Sequence, residues 1–478
     1  MLKKAFFTNS GGILCSRILG FARDVCMAST LGAGIYSDIF FIAFKLPNLF
    51  RRIFGEGAFT QSFLPSFIHS RHKGAFALTL FLIFSSILLT LSIFVSFFSP
   101  TMTKLLAFGF SQESLTLASP IVAINFWYLW LVFCVTFFGS LLQYKHIFWV
   151  SAYNTALLNL CMIASLLYAK DMEKMQIVYF LSYGVLAGGI AQILIHFYPL
   201  YSLGFFRLFY LSSKHIQVFW RSKGEKAKQF HKELKAFFSQ FFPALLGGST
   251  AQLLAFIETF IASFLSAGSI SYLYYANRIF QLPLALFAIA ISTALFPLVA
   301  KAIKHKEHTK ALEAMKKSFW FLTLALCVCT LGGIMLREEI ITLLYTRGSF
   351  STQDTLITAN VFALYLVGLL PFGLSKILSL WLYSHAQQGK AAKFSIISLS
   401  CGTILSLLLI SPFGVLGIAF SSSISGFILL ALNIKAVGRE NFLSIINAKK
   451  WGIALIVILI IEGALLYGIK TLIQGYIL

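Results

Sequence analysis

Long apolar runs without alternation dominate this chain. Residues 78–99, LTLFLIFSSILLTLSIFVSFFS, are an example. A membrane-spanning helix needs about 20 mostly apolar residues, whereas a membrane-spanning strand is a short segment in which apolar and polar positions alternate. The pattern therefore predicts an all-α polytopic membrane protein. We count thirteen candidate spans, near residues 9–32, 36–68, 76–99, 119–142, 149–169, 176–200, 237–266, 271–300, 318–336, 355–383, 394–411, 414–435 and 452–476.

The basic residues between the spans predict the orientation of the chain. If the N-terminus is cytoplasmic, the segments on that side hold 25 Lys and Arg residues, and those on the other side hold six. Cytoplasmic loops of membrane proteins carry such an excess. We therefore expect a cytoplasmic N-terminus and, because the number of spans is odd, a C-terminus on the opposite side.

Composition excludes several classes of function. Of the 478 residues, 58% are hydrophobic and 11% are charged, and the net charge is +22. Soluble proteins have about 25% charged residues, so an ordinary soluble enzyme is excluded. The basic excess lies mostly in the loops, so we expect no nucleic-acid partner. The sequence contains no P-loop, HExxH, GxSxG or His cluster, so we expect a transporter without a bound metal or cofactor.

A weak internal repeat predicts two lobes. FKLP at 44–47 resembles FQLP at 280–283, 236 residues later, and each is followed by a second proline and a basic loop. Six spans separate the copies, an even number, so the repeats are expected to be parallel around a central cavity. We predict an N-terminal lobe at 1–200, a linker at 201–236, a C-terminal lobe at 237–437, and a loop with an extra C-terminal helix at 438–478.

The linker at 201–236 is basic and amphipathic, and its basic residues alternate with aromatic ones. Two interpretations remain open and are compatible. It is a helix that lies on anionic membrane lipids, or it is a solvated connection between the two lobes.

The first two spans carry an unusual number of charges. They are Arg17, Arg23 and Asp24 in the first span, and Asp38, Lys45, Arg51, Arg52 and Glu56 in the second. Left in lipid, these side chains would together cost on the order of 20 kcal/mol. We therefore expect them to face a water-filled cavity or one another. The alternative is a set of ion pairs that only locks the helices together.

Spacing places most of these charges on shared helix faces. At about 100° per residue, Arg17 and Asp24 share one face. Asp38, Lys45, Arg52 and Glu56 form one stripe along the second span, and Pro47 lies within that stripe. Because proline removes a backbone hydrogen bond, we expect a kinked helix with a charged face, as in a gate or a cavity-lining element. The gating or ion-pair candidates are Asp24, Asp38, Lys45, Pro47 and Glu56.

The excess of basic over acidic side chains suggests an anionic ligand. Arginine side chains bind phosphate through paired hydrogen bonds. Arg278, two residues before the FQLP repeat, is placed to face the same cavity from the other lobe. Glu258 lies alone in an apolar segment and is a candidate site for a coupling cation, either sodium or a proton. The alternative for Glu258 is a protonated or hydrogen-bonded carboxyl group without a transport role.

Four segments resemble the MurJ/MviN family of the multidrug/oligosaccharidyl-lipid/polysaccharide exporter superfamily. They are SRILGFARD at 16–24, YSDIFFIAFKLPNLFRRIFGEGAFTQSFLPSF at 36–67, YYANRIFQLPLALF at 274–287 and LLYTRGSF at 343–350. The resemblance implies a flippase that moves lipid II, the undecaprenyl-pyrophosphate-linked peptidoglycan precursor, across the bacterial inner membrane. In that membrane, the odd number of predicted spans places the C-terminus in the periplasm. The residues implied to hold the pyrophosphate are Arg17, Arg23, Arg51, Arg52 and Arg278.

This chain departs from the family pattern in two places. The family often has Asp before the helix 8 arginine, whereas this chain has Asn277. The family typically has fourteen helices, of which the last two form a groove for the lipid tail, whereas thirteen are predicted here.

The resulting hypothesis is a lipid II flippase that works by alternating access and is driven by the membrane potential or an ion gradient. The expected partners are lipid II, membrane lipids and proteins of cell-wall synthesis. The main alternative is a cation-coupled drug or oligosaccharide-lipid exporter of the same superfamily. A non-transporting scaffold or receptor is a further alternative.

Overall fold

The computed structural model describes residues 2–55, 58–221 and 224–477, with side chains for 11–51, 59–214, 224–225, 227–243, 245 and 256–471. All regular structure in these residues is helical. The helices are α1 Leu2–Leu31, α2 Ile35–Gly55, α3 Ala58–His69, α4 Lys73–Phe97, α5 Ser99–Leu106, α6 Gln112–Phe126, α7 Tyr128–Tyr144, α8 Trp149–Ala169, α9 Lys174–Ser202, α10 Phe205–Arg221, α11 Glu225–Ala262, α12 Ser269–Pro283, α13 Ala290–Lys304, α14 His308–Met335, α15 Arg337–Tyr345, α16 Thr352–Val367, α17 Leu369–Ser384, α18 Gln388–Val437, α19 Arg439–Ile446 and α20 Lys449–Ile477. A π-helical turn, Leu284–Ile289, joins α12 to α13.

Helices occupy all thirteen predicted spans, so the all-α prediction is confirmed. Among the described residues, nine helical stretches are long and apolar enough to cross a membrane. One of them, α18, covers two predicted spans, 394–411 and 414–435. The two spans meet at a kink, where Gly414 adopts a φ of 55°. The remaining spans correspond to α1, to α2 with α3, and to α11.

The predicted second span, 36–68, contains α2 and α3. Pro47 lies inside α2, which continues past it to Gly55, and α3 begins at Ala58. Proline costs one backbone hydrogen bond, and α2 continues past Pro47 to Gly55 without it.

The chain forms two compact units, Met1–Phe256 and Ile257–Leu478. The division falls inside α11, beyond the predicted linker at 201–236. The N-terminal part of α11 therefore belongs to the first unit and its C-terminal end to the second.

Matching turns in the two units support the internal repeat. After α7, His146 has a φ of 61° and Ile147 N donates to Leu142 O. After α17, 240 residues later, Ala386 has a φ of 56° and Gln387 N donates to Leu382 O. Both are Schellman motifs, which end a helix with one left-handed residue.

Helix starts repeat at the same interval. Ser111 accepts a hydrogen bond from Ser114 N at the start of α6, and Ser351 accepts one from Asp354 N at the start of α16. Such caps satisfy backbone donors that have no partner within the helix. Two kinds of helix end thus recur about 240 residues apart, close to the 236 residues between the FKLP and FQLP sequences.

The core of the first unit is rich in phenylalanine. The ring of Phe59 in α3 lies 5.5 Å from that of Phe84 in α4 and 5.5 Å from that of Phe133 in α7. α11 adds Phe237, which is fully buried, at 6.0 Å from Phe59. Edge-to-face contacts of this kind add to the gain from burial. We call this group the phenylalanine cluster; its members are Phe59, Phe63, Phe76, Phe84, Phe133, Phe137, Phe237 and Phe241.

The linker forms the helix α10, which packs on α4. A Cβ atom at Gly74 would lie 2.9 Å from Leu208 Cδ1 and would collide with the Ser212 hydroxyl, so the glycine leaves room for these side chains of α10. The other side of α10 is exposed and carries both apolar and basic residues. These exposed residues are Phe206, Arg207, Tyr210, Leu211 and Lys214.

Candidate functional site

The first charged element is the C-terminal half of α1. Arg23 donates to Asp24 Oδ1 from Nη2 at 2.6 Å and from Nε at 3.1 Å. Asp24 is fully buried, whereas the Arg23 side chain remains 12% exposed. Arg23 Nη1 also approaches the sulfur of Met162 in α8 at 3.8 Å. Charges this deep in a protein are tolerated only in pairs, so this ion pair fixes the guanidinium against α8.

Arg17 and Asp24 were expected to share a face, yet Arg17 is exposed and Asp24 is buried. On α1, the face that packs against α8 runs through Ser16, whose hydroxyl donates to Ala152 O, and later reaches Asp24. Packing that advances in steps of four residues rotates about 40° per step. Arg17 and Asp24 lie at nearly the same angle around α1. The face that packs against α8 reaches that angle only near Asp24, so Arg17 stays exposed.

The second charged element is α2. Asp38 is buried, Lys45 and Arg51 are half-buried, and Pro47 is buried. Arg51 donates to Asn48 Oδ1 from Nη2 at 3.0 Å and from Nε at 3.2 Å. The asparagine thus holds the guanidinium from one turn earlier. The side chains of Arg52 and Glu56, the remaining predicted members of the stripe, lie outside the described residues.

Tyr128, at the start of α7, brings these two elements together. Its ring packs against Phe44 of α2 at 5.9 Å, and both Arg51 and Arg23 interact electrostatically with its hydroxyl group. The hydroxyl donates to Gln192 Oε1 at 3.1 Å. Two of the five predicted anion-binding arginines therefore lie near one buried tyrosine.

A chain of hydrogen bonds leads from Tyr128 to α9 and α8, within the first unit. Gln192 of α9 donates from Nε2 to the carbonyl oxygen of Asn154 in α8 at 3.0 Å. One turn later, the His196 ring nitrogen Nδ1 lies 2.6 Å from Gln192 O. Buried polar groups in such a network hold one another in place. Neither Tyr128 nor Gln192 is marked by a pattern in the sequence, because both lie in apolar segments.

The second unit contains a comparable arrangement around Tyr365. Phe280 of the FQLP sequence packs its ring against Tyr365 at 5.7 Å, as Phe44 of FKLP packs against Tyr128. Tyr365 is hydrogen-bonded to Asn277 and lies within electrostatic range of Glu258. Each copy of the repeat thus places its phenylalanine on a buried tyrosine.

Arg278 is half-buried in α12, next to this tyrosine-bound asparagine. Asn277 also bonds to Gln281, one turn later. Asn277 stands where the family often has aspartate. Its partners Tyr365 and Gln281 are neutral, which suits an uncharged amide side chain.

Comparison with known proteins decides the family. Residues 27–478 match the family model described as lipid II flippase MurJ. The chain belongs to the MurJ family of lipid II flippases. A probable lipid II flippase MurJ from Helicobacter pylori strain J99 is 55% identical over 451 residues, which cover 93% of this chain and 97% of that protein. One from Buchnera aphidicola (subspecies Baizongia pistaciae) is 33% identical, covering 89% and 82%.

Solved structures agree with the MurJ assignment. A lipid II flippase MurJ in an inward closed conformation matches with a TM-score of 0.76 and 26% identity, over 98% of each chain. A multidrug resistance MATE family transporter of the MOP superfamily, in an inward-facing conformation, matches with a TM-score of 0.69 but only 12% identity, over 90% of this chain and 95% of that one. The second likeness concerns the fold alone.

Proposed function

We propose that this chain moves lipid II from the inner to the outer leaflet of the bacterial cytoplasmic membrane. Membership of the MurJ family and the placement of Arg23 and Arg51 beside Tyr128 support the proposal. No covalent bond is made or broken, so the chain is a transporter and not an enzyme.

The pyrophosphate of lipid II is the proposed ligand of the basic residues. Arg23 is oriented by Asp24, and Arg51 by Asn48. A guanidinium has five donors in a fixed plane, a geometry that matches the oxygens of a phosphate group. Because the partners hold the planes in place, less side-chain entropy is lost on binding. The other proposed pyrophosphate-binding residues are Arg17, Arg52 and Arg278.

The membrane potential is the proposed driving force. Moving one negative charge outward across an inside-negative potential yields about 2.3 kcal/mol per 100 mV. Glu258, near Tyr365, is the proposed site for a coupling cation, sodium or a proton. The cytoplasmic N-terminus and periplasmic C-terminus remain part of this proposal.

Anionic lipids at the cytoplasmic surface are proposed to bind the exposed side of α10. Lys214 Nζ lies 4.7 Å from the centre of the Tyr210 ring, so a cation and an amphipathic ring are presented together. This combination is typical of helices that lie in the headgroup region.

The decisive test is replacement of the endogenous flippase in a bacterium depleted of it. Arg51→Ala and Arg278→Ala are each expected to lower lipid II export by about 10- to 100-fold, since hydrogen bonds to charged groups contribute about 1.5–3 kcal/mol. Arg439→Ala, an exposed arginine at the start of α19, is the matched control and is expected to retain export.

The same assay separates the proposal from its main rival. A cation-coupled drug exporter predicts that soluble organic cations compete with transport and that Arg51→Ala leaves transport intact. Normal export by both Arg51→Ala and Arg278→Ala, at wild-type protein levels in the membrane, would reject the pyrophosphate site.

A further inference from the structure

A single carboxyl group interrupts the apolar surface of the last helix, α20. Glu462 is the only charged residue between Lys450 and Lys470. At 1.5 Å per residue, it lies about 18 Å along the helix from Lys450 and about 12 Å from Lys470. Because the hydrocarbon core of a bilayer is about 30 Å thick, these distances place the carboxyl group well inside it.

The Glu462 side chain is directed toward α14. A Cβ atom at Gly332 would lie 3.1 Å from Glu462 Oε1, so the glycine leaves room for the carboxyl group. Oε2 is inaccessible to solvent and has no hydrogen-bond partner among the described residues. An ionised carboxylate without a donor in an apolar setting is strongly unfavourable, whereas a protonated carboxyl group is neutral.

The charged groups near this contact are engaged elsewhere. Lys470 on α20 lies 3.7 Å from Glu339 Oε1 and donates to Met335 O at 3.3 Å. In α15, Arg337 pairs with Glu338 at 3.4 Å. On α14, the groups within electrostatic range of Glu462 are the thiols of Cys327 and Cys329, which are neutral donors or acceptors at most.

We propose that Glu462 is a proton-binding site inside the membrane, at the contact of α14 with α20, and that it is protonated at neutral pH. The proposed site does not include the arginines of α1, α2 and α12. The inference does not depend on lipid II being the substrate, because it rests on the environment of one carboxyl group.

Dicyclohexylcarbodiimide tests the proposal, because this apolar reagent reacts with protonated carboxyl groups. The carboxylic acid adds across one C=N bond to give an O-acylisourea. Acyl transfer to nitrogen then gives a stable N-acylurea, so the whole reagent is retained and nothing is released. The full chain in proteoliposomes is labelled at pH 7.5 and modified peptides are quantified by mass spectrometry. Glu313 on α14, 66% exposed, is the internal control.

Glu462 is expected to be labelled at least about tenfold more than Glu313, because Glu313 is exposed to water and lies 3.3 Å from Lys317, whereas the apolar reagent concentrates in the membrane. Glu462→Gln should remove this label and leave the other labels unchanged. Infrared difference spectra of the wild-type chain against Glu462→Gln supply a second readout that does not depend on reagent access. They should show the carbonyl stretch of a protonated carboxyl group at pH 7.5. A carboxylate band in its place, together with labelling no greater than at Glu313, would overturn the proposal.

Discussion

The Ser70 hydroxyl donates a 2.7 Å hydrogen bond to Glu233 Oε2, joining positions 163 residues apart in the chain. Ser70 lies in the turn between α3 and α4, and Glu233 lies in the N-terminal part of α11. Gln229 also donates to Glu233 Oε1, at 3.2 Å. The start of α11 is thereby fixed to a turn of the first unit, beside the phenylalanine cluster.

Ser70→Ala should lower the thermal stability of the purified chain in detergent. Ser70 is buried, and a hydrogen bond to a charged acceptor contributes about 1.5–3 kcal/mol. Ser213→Ala is the control, because that hydroxyl is exposed and bonds to the Tyr210 carbonyl of its own helix. In a double-mutant cycle with Glu233→Gln, additive effects of the two substitutions would contradict direct coupling.

Asp24→Ala should be among the most destabilising single substitutions in α1. Breaking a buried ion pair costs about 3–5 kcal/mol, because the remaining charge stays buried. The double substitution Arg23→Met with Asp24→Leu should cost less than Asp24→Ala alone, since neither charge remains. Fluorescence-detected melting of the wild type, Asp24→Ala and the double variant ranks their thermal stabilities. A loss of thermal stability in the double variant equal to or greater than that in Asp24→Ala would contradict the ion-pair explanation.

An exposed pair supplies the contrast to the buried one. Lys310 Nζ, in the first turn of α14, lies 2.9 Å from Oε1 of Glu307, the residue before that helix. The hydrogen bond from Lys310 lowers the pKa of the Glu307 carboxyl group. Because both partners are in solvent, Glu307→Gln should leave the melting temperature unchanged in the same assay.

The same substitution should have opposite effects at two alanines six residues apart. Ala386 has a φ of 56°, which strains a residue with a Cβ atom, so Ala386→Gly should stabilise the chain by about 0.5–1 kcal/mol. Ala392 is exposed inside α18, so Ala392→Gly should destabilise it by about 0.5–1 kcal/mol. Equal shifts in unfolding temperature would show that the turn does not carry this strain.

Close packing of α8 against α9 should make Gly188 sensitive to a single methyl group. A Cβ atom there would lie 2.8 Å from Leu158 Cδ1 and 3.0 Å from Leu158 Cα, and a backbone atom cannot move aside as a side-chain end can. Gly188→Ala should therefore cost about 1–3 kcal/mol. Gly389→Ala, where no atom lies within 4 Å, is the control and should be neutral or stabilising.

Among the described residues, the sequence predicted all nine helical stretches that are long and apolar enough to cross a membrane, because lipid thickness sets the length of an apolar run. It also predicted a repeat, which the two phenylalanine–tyrosine contacts now extend to the packing of each unit. The ion pair of Arg23 with Asp24 could not be predicted from helical spacing. Adjacent residues point about 100° apart on a helix. The Arg23 side chain is long enough to reach the carboxylate of Asp24 despite that angle.

The polar contacts of Tyr128 escaped prediction for a different reason. In the sequence, Tyr128 begins the apolar segment YLWLVF, which indicates a buried helix and nothing more. Its partner Gln192 is 64 residues away. A hydrogen bond between two such distant positions leaves no local pattern, so only the folded chain shows it.

The position of α11 has a consequence for biosynthesis. Phe237 and Phe241 complete the aromatic core of the first unit, yet they follow the linker and leave the ribosome after all the other members of that core. A nascent chain that ends at residue 221 would expose Phe59 and Phe84 without their final partners. The predicted N-terminal lobe at 1–200 therefore lacks two members of its own aromatic core until the beginning of α11 has been synthesised.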